Sequence, residues 1–402
     1  MFAEPLMIDF GLCKTLWQDW LKESALPLWS QCGFDRSRTL YHERLTFEGT
    51  PVLLPELRLM VQARQVATYC RAALDGVHDA AEQAIDCLEE IGRRYHGSDG
   101  EKGWIFSLAP DGRPGNRTRD LYAHAFILFG YAWAYRLTGN GTYLATARQT
   151  VLEIDLIFKA ENGGYRDAMP TPDMIRRQNP HMHLLEAYLA LFEVSSDSFY
   201  LDYAQQIVAL ALKHFIDPGS GMLLEYFDSK WIPLQPAGQN RVEPGHLFEW
   251  SWLFTEYCTL ASGESHEDAL LRVADGLFQT GSRHGTAPDT ADVYDAITES
   301  GTQLELSTRI WPQTEFMRLL CQRLKNGLPC DRTLLSMQAT RFFTLYAPAR
   351  LHGGWVDRLT PDGRTFVDYM PASSLYHIYG AAREIARVSV TQEQTAVSAQ
   401  PN

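Results

Sequence analysis

Seven side chains that can move or hold a proton recur along the chain: Arg64, His124, His183, His246 with Glu249, Glu315 and His377. The first six precede short polar turns by about 12–17 residues, or three to five helical turns. His377 opens the last apolar stretch, "SLYHIYG". An unperturbed imidazole pKa near ~6.5 suits taking and returning a proton at neutral pH. At a helix N-terminus the partial positive charge disfavours imidazolium and keeps the ring neutral. Glu249, three residues after His246, shares its helix face and could orient the imidazole and stabilise its protonated form. Arg64 is permanently charged and can hold an enolate oxygen. Two histidines facing a carbon acid from opposite sides could remove a proton on one face and return it on the other.

Such a set needs elements that bring distant residues to one rim. Turns at "LDGVHD", "LTGNGTY", "VSSDSF", "ASGESHED" and "KNGLPCD" recur about every 60 residues, the mark of an internal repeat. The stretches flanking them, such as "HAFILFGYAWAYRL" and "YLATARQTVLEIDLIFK", have helical spacing of apolar residues. Each unit therefore reads as two antiparallel helices. The longer links join a glycine to aromatics, as in "GWIFSLAPDGRPG" and "GGYRDAMPTPD", and predict short strands or hairpins. With the N-terminal "CKTLWQDWLKESALPLW" and the C-terminal "SLYHIYGAAREIAR", six pairs fit. They could stack as an open solenoid. Polar helix starts and loop-rich links on one side favour closure into an all-α (α/α)6 barrel, with β-hairpins in the loops at one end. The expected organisation is one domain over residues 1–390 and a disordered tail over 391–402. Closure makes the first helices of all pairs parallel, so their N-termini meet at one mouth.

In "NPHMHLLEA", His183 rather than His181 falls in register for that mouth. The other histidines read as turn or surface residues. His183 with Glu186, or His246 with Glu249, could bind metal at i, i+3, but no HExxH or comparable ligand spacing occurs. There is also no Walker motif and no GxSxG, and no metal or cofactor is expected. The 402 residues carry a formal net charge of −13, which argues against nucleic acid and anionic membrane as partners. Seven scattered cysteines without a CxxC pair argue against a disulfide framework. With no signal peptide and no membrane span legible, the cytoplasm is the expected compartment.

The ordered set "RLMVQARQVATY", "DLYAHAFILFG", "NPHMHLLEAYLAL", "PGHLFEWSWLF", "RIWPQTEFMRLL" and "SSLYHIYG" resembles the N-acylglucosamine 2-epimerase superfamily, from about residue 45 to about residue 385. That group includes N-acylglucosamine 2-epimerases, cellobiose 2-epimerases and mannose isomerases. The resemblance implies an (α/α)6 barrel acting at C2 of aldoses without an obligatory redox cofactor. It implies His246 and His377 as the acid/base pair, Glu249 as the carboxylate supporting His246, and Arg64 on the substrate oxygens. His183 becomes the ring-opening residue, Asn179 a hydroxyl binder, Trp311 a sugar-stacking residue and His124 a pocket-lining one. It also allows a homodimer. The expected activity is sugar 2-epimerisation on an N-acylglucosamine-like substrate, with aldose–ketose isomerisation as the alternative. A glycoside hydrolase or lyase would use opposed carboxylates such as Glu249 and Glu315. A binding protein would use the aromatic rim alone.

Overall fold

The computed structural model describes residues 9–261, 267–330 and 332–388. The expected tail and the tip of the fourth turn lie outside these residues. Helix α1 (Phe10–Trp20) continues through a π turn at Leu21–Ala25 into α2 (Leu26–Gln31). Then follow α3 (Leu59–Leu74), α4 (Ala81–Tyr95), α5 (Leu121–Thr138), α6 (Gly141–Phe158), α7 (Asn179–Ser195) and α8 (Ser198–Leu210). The chain continues with α9 (Pro244–Leu260), α10 (Glu267–His284), α11 (Ile310–Lys325), α12 (Arg332–Arg341) and α13 (Leu375–Arg387).

The odd helices from α3 to α13 form an inner ring. Each packs on the next, and α13 packs back on α3. Helices α4, α6, α8, α10 and α12 lie outside, with α1 covering α13. Their sequences explain the sorting. In α5 every residue from Ala123 to Ala134 is buried, as expected of a helix apolar all round. In α4 only a stripe is buried, Ala84, Cys87, Leu88, Ile91 and Tyr95, while Glu82, Asp86 and Glu89 face water. The closed barrel expected from the repeat is the one observed.

At the mouth, the strand entering each inner helix pairs with the loop that leads to the next. Leu57–Arg58 pairs with Ser107–Leu108, Arg119–Asp120 with Ala168–Met169, and Arg176–Arg177 with Tyr226–Phe227. Arg241–Val242 pairs with Ala296–Thr298, and Thr308–Arg309 with Arg358–Leu359. The last pairing, Tyr369–Pro371 with Arg44–Thr46, joins the two ends of the chain and closes the ring. Within the barrel, Gln65 Nε2 donates to the Ala372 carbonyl at 2.8 Å, which seals the same seam one layer down.

Four of the turns between paired helices place one residue in the left-handed region. Glycine serves at Gly76, Gly139 and Gly327, but Ser196 (φ 56°) serves after α7. A side chain there costs about 1–2 kcal/mol, partly offset by glycine's greater entropy loss on folding. Ser196→Gly is therefore expected to stabilise the fold by about 0.5–1 kcal/mol, read as a raised urea midpoint with unchanged m.

Candidate active site

The sequence-predicted rim assembles at the N-terminal ends of the inner helices. His246 stands in the first turn of α9 and His377 in the first turn of α13. Trp311, in the first turn of α11, is their common neighbour. Its ring centroid is 4.9 Å from that of His246 and 5.7 Å from that of His377. The indole has room because residue 245 is glycine: a Cβ there would come within 2.5 Å of the Trp311 ring.

Each imidazole is held at Nδ1 by a carboxylate. His246 Nδ1 donates to Glu225 Oε1 at 2.9 Å, and His377 Nδ1 donates to Glu315 Oε1 at 2.7 Å. Both therefore keep Nε2 free for chemistry. Their environments differ in sign. Burial works against charge on His246, but the charge and hydrogen bond of Glu225, with Glu243 behind it, raise its pKa above the ordinary value. For His377 burial wins over Glu315, with Arg64 adding to it, and the pKa falls. One ring is biased toward imidazolium and the other toward neutral imidazole.

Glu225 corrects the sequence reading, which assigned Glu249 as the carboxylate supporting His246. Glu249 lies one turn deeper in α9. It approaches His183 instead, at 3.8 Å from Nδ1, and neither of its carboxylate oxygens has a hydrogen-bond partner among the described residues. Burial, then the like charges of Glu315 and Glu186, push its pKa well up, which favours its protonated form. Glu225 comes from a loop with no helical period to betray it. Gln178 completes that corner: its Nε2 donates to Glu225 Oε2 at 2.9 Å and its Oε1 accepts from Trp250 Nε1 at 2.6 Å.

Below the histidines, Arg318 joins two carboxylates, Glu315 at 3.2 Å and Glu186 at 3.1 Å. Glu186 also accepts from the Tyr376 hydroxyl. His183 lies 3.4 Å from Glu186, but burial holds its pKa down to about 4, so that contact is a hydrogen bond and not an ion pair. Arg64 donates to the Tyr122 hydroxyl at 2.5 Å and to the Ser373 carbonyl at 3.1 Å, and its guanidinium lies 4.1 Å from the Phe126 ring centroid. Its Nε, and Asn179 Oδ1 at the start of α7, are buried without partners among the described residues. Ligand atoms of His183, Glu186 and Glu249, and of Glu249, Glu315 and His377, lie within 4.8 Å of one another. The guanidinium of Arg318 already neutralises two of those carboxylates.

His124 is the second correction. Both its nitrogens serve the backbone: Nδ1 donates to the Asp120 carbonyl at 2.7 Å and Nε2 accepts from Trp104 N–H at 3.1 Å. It is fully buried and fastens the Gly103 loop to α5. His181 does the same one repeat later, between the Arg177 carbonyl and Tyr165 N–H. The two histidines of "NPHMH" thus divide the work, with His181 structural and His183 facing the polar cluster.

Comparison with known proteins gives the arrangement its family. Residues 41–381 match the N-acylglucosamine 2-epimerase (GlcNAc 2-epimerase) family. The chain belongs to that family. It is 33% identical over 380 residues to a mannose-6-phosphate isomerase of Rhizobium meliloti, covering 91% of this chain and 95% of that one. It is 29% identical over 248 residues to a D-mannose isomerase of Pseudomonas cannabina pv. alisalensis, covering 58% and 59%. The solved cellobiose 2-epimerase of Spirochaeta thermophila shares the fold, with a TM-score of 0.80 at 22% identity over 94% of this chain and 96% of that one. As a member of the N-acylglucosamine 2-epimerase family the protein is a sugar epimerase or isomerase, and its substrates are small sugars. Among the described residues no helix is long and apolar enough to cross a membrane.

Two predictions separate the roles assigned here. Glu225→Gln keeps a hydrogen-bond acceptor but removes the charge, so the His246 pKa should fall, whereas Glu249→Gln should not lower it; the NMR titration of the His246 ring decides. His124→Leu orphans a buried N–H and a buried carbonyl, each worth about 1–3 kcal/mol, so urea unfolding should show the loss while KM stays at the wild-type value.

Proposed function

We propose that the protein is an aldose–ketose isomerase for mannose-configured sugars, working through a cis-enediol with His377 as base and His246 as acid. The opposed bias of these two imidazoles around Trp311 is the observation that carries the reading: one is ready to take a proton while the other is ready to give one. One relative named a mannose-6-phosphate isomerase and one named a D-mannose isomerase support a mannose-configured substrate.

The steps balance without an outside reagent. After ring opening, in which His183 and the neutral Glu249 take part, His377 Nε2 removes the proton on C2. The electrons move into C1=O, and the developing oxyanion is held by Arg64 and protonated by His246. His246, now neutral, takes the proton from O2, and the imidazolium of His377 delivers its proton to C1. A 2-ketose results and both rings regain their starting states. Asn179 and Trp311 hold the hydroxyls and a sugar face.

The sugar proposed is unphosphorylated. Four arginines entering the inner helices are already matched by carboxylates, Arg58 by Glu43, Arg177 by Asp167 and Asp173, Arg241 by Glu305, and Arg309 by Asp295, while Arg176 lies over the Trp231 ring and donates to the Gly163 carbonyl. A phosphate would have to displace them. Epimerisation at C2 is the second reading, because two imidazoles on one indole could also serve opposite faces of one carbon. In that case His246 returns the proton to C2 and not to O1.

NMR in D₂O with mannose, mannose 6-phosphate, N-acetylmannosamine and cellobiose separates these outcomes. The expected result is fructose from mannose, with deuterium at C1 only to the extent that the proton on His377 exchanges with solvent, and with faster turnover than for the phosphate. An aldose product labelled at C2 without ketose would establish the epimerase instead, and no turnover on any of the four would sink the proposal. His377→Gln and His246→Gln should each lower kcat by about 10²–10⁴-fold while the far-ultraviolet circular dichroism is retained.

A further inference from the structure

At the opposite end of the barrel, the C-terminal halves of the inner helices line a cavity of about 150 Å³. Arg71 of α3 reaches it and is only 5% exposed. Its Nε has no hydrogen-bond partner, and no carboxylate forms an ion pair with it among the described residues. Two indoles on the same lining, Trp133 and Trp252, likewise have buried Nε1 atoms without partners among the described residues. The orphaned side-chain atoms on this lining are therefore all donors.

The remaining charges do not satisfy them. Arg383 is engaged by Asp75, and Arg318 by Glu186 and Glu315. Of the acids on the lining, Glu384 is held by Lys325 and Arg387, Glu186 by Arg318 and Tyr376, and Glu193 is exposed to water. Glu256 accepts from Gln322 at 2.7 Å, and burial raises its pKa. Burial, then Arg383 and Arg318, bring the Arg71 pKa down to about 10, so the guanidinium is still charged at neutral pH. The ring centroids of Trp133, Tyr379 and Phe129 lie 5.2, 5.6 and 5.8 Å from it. The negative end of a helix dipole favours a cation in the last turn of α3. It does not explain burying that cation beside two unmade N–H donors, each of which costs free energy until an acceptor arrives.

We propose that this cavity is a binding site for a small oxyanion, with Arg71 supplying the charge and the Trp133 and Trp252 N–H groups the directed hydrogen bonds. A water oxygen could accept two of these N–H bonds but would leave the charge unmet. A tetrahedral or planar oxyanion has enough acceptor atoms for all three and fits the volume. The site is separate from the sugar site at the other mouth and does not depend on which sugar is turned over.

Crystals of the full chain soaked in sodium selenate test this directly. An anomalous peak within hydrogen-bond reach of Arg71, Trp133 and Trp252 is expected. In solution, calorimetric titration with inorganic phosphate at constant ionic strength should give saturable binding that mannose does not displace. Arg71→Met should weaken it at least tenfold. If that variant does not fold, Trp252→Phe keeps the ring, removes one donor and should weaken binding several-fold. A selenate-soaked cavity without a peak overturns the site, as does equal phosphate affinity in wild type and variants. A crystal peak with no heat in solution means an adventitious ion only, and overturns it as well.

Discussion

Arg318 is the interaction on which the interior of this barrel depends. Three carboxylates, Glu186, Glu249 and Glu315, project into one buried region, and like charges in a low dielectric cannot all persist. The single guanidinium settles the matter by geometry. It holds Glu186 and Glu315 ionised at 3.1 and 3.2 Å and stacks 3.5 Å from the Trp252 ring centroid. Glu249 is left without a partner among the described residues, which favours its protonated form. Removing the cation would leave two uncompensated buried charges, which typically costs about 3–5 kcal/mol. The same contact therefore serves stability and sets which groups carry protons.

The polarity of the histidines follows from where their carboxylates are already committed. Glu315 divides its charge between Arg318 and His377, so it can hold the His377 ring in place without drawing it into the charged form. Glu225 has no guanidinium on it; it accepts from Gln178, from the Glu243 backbone N–H and from His246. Its charge is free to act on the imidazole. Two similar His–carboxylate pairs thus end with opposite bias, and the cause lies with what the carboxylates touch.

Much of this was legible in the sequence, for a physical reason. Inner helices are buried on all sides and outer ones on a stripe, so the repeat and the ring of helix starts show up as periodicity. That reasoning located Arg64, His183, His246, Glu315 and His377 at one mouth. It missed Glu225 because a loop residue has no period, and it misassigned Glu249 because helix spacing alone gives a shared face, not a hydrogen bond. His124 was misread for a subtler cause: a histidine near a helix start looks the same whether it faces a pocket or the backbone. The telling signal was the earlier glycine–aromatic pair, Gly103–Trp104 for His124 and Gly164–Tyr165 for His181. In both places a Cβ on the glycine would lie 3.0 Å from the imidazole Nε2. Gln62 and Gln313 make the equivalent contacts, each with both the N–H and the carbonyl of a loop residue, Tyr41 and Val293. Aligning the repeats on that latch separates fasteners from candidate chemical groups.

The latches also explain how a mouth built from loops can hold proton-transfer geometry. Reacting groups must be kept near their productive positions by side chains that are themselves fixed. Here four of the loops are tied twice, by a strand pair and by a buried His or Gln from α3, α5, α7 or α11. Glu225 is different: Leu247 of α9 stands at the fastener position, so its loop relies on its strand pair and on its own backbone. Its backbone N–H donates to the Arg241 carbonyl and its own carbonyl accepts from Gln178 N–H, both at 3.3 Å. The carboxylate that biases His246 is thus anchored to the strands entering α7 and α9. A change that loosens either strand should reach His246 before it reaches His377, whose partner Glu315 is carried on an inner helix and needs no loop to position it.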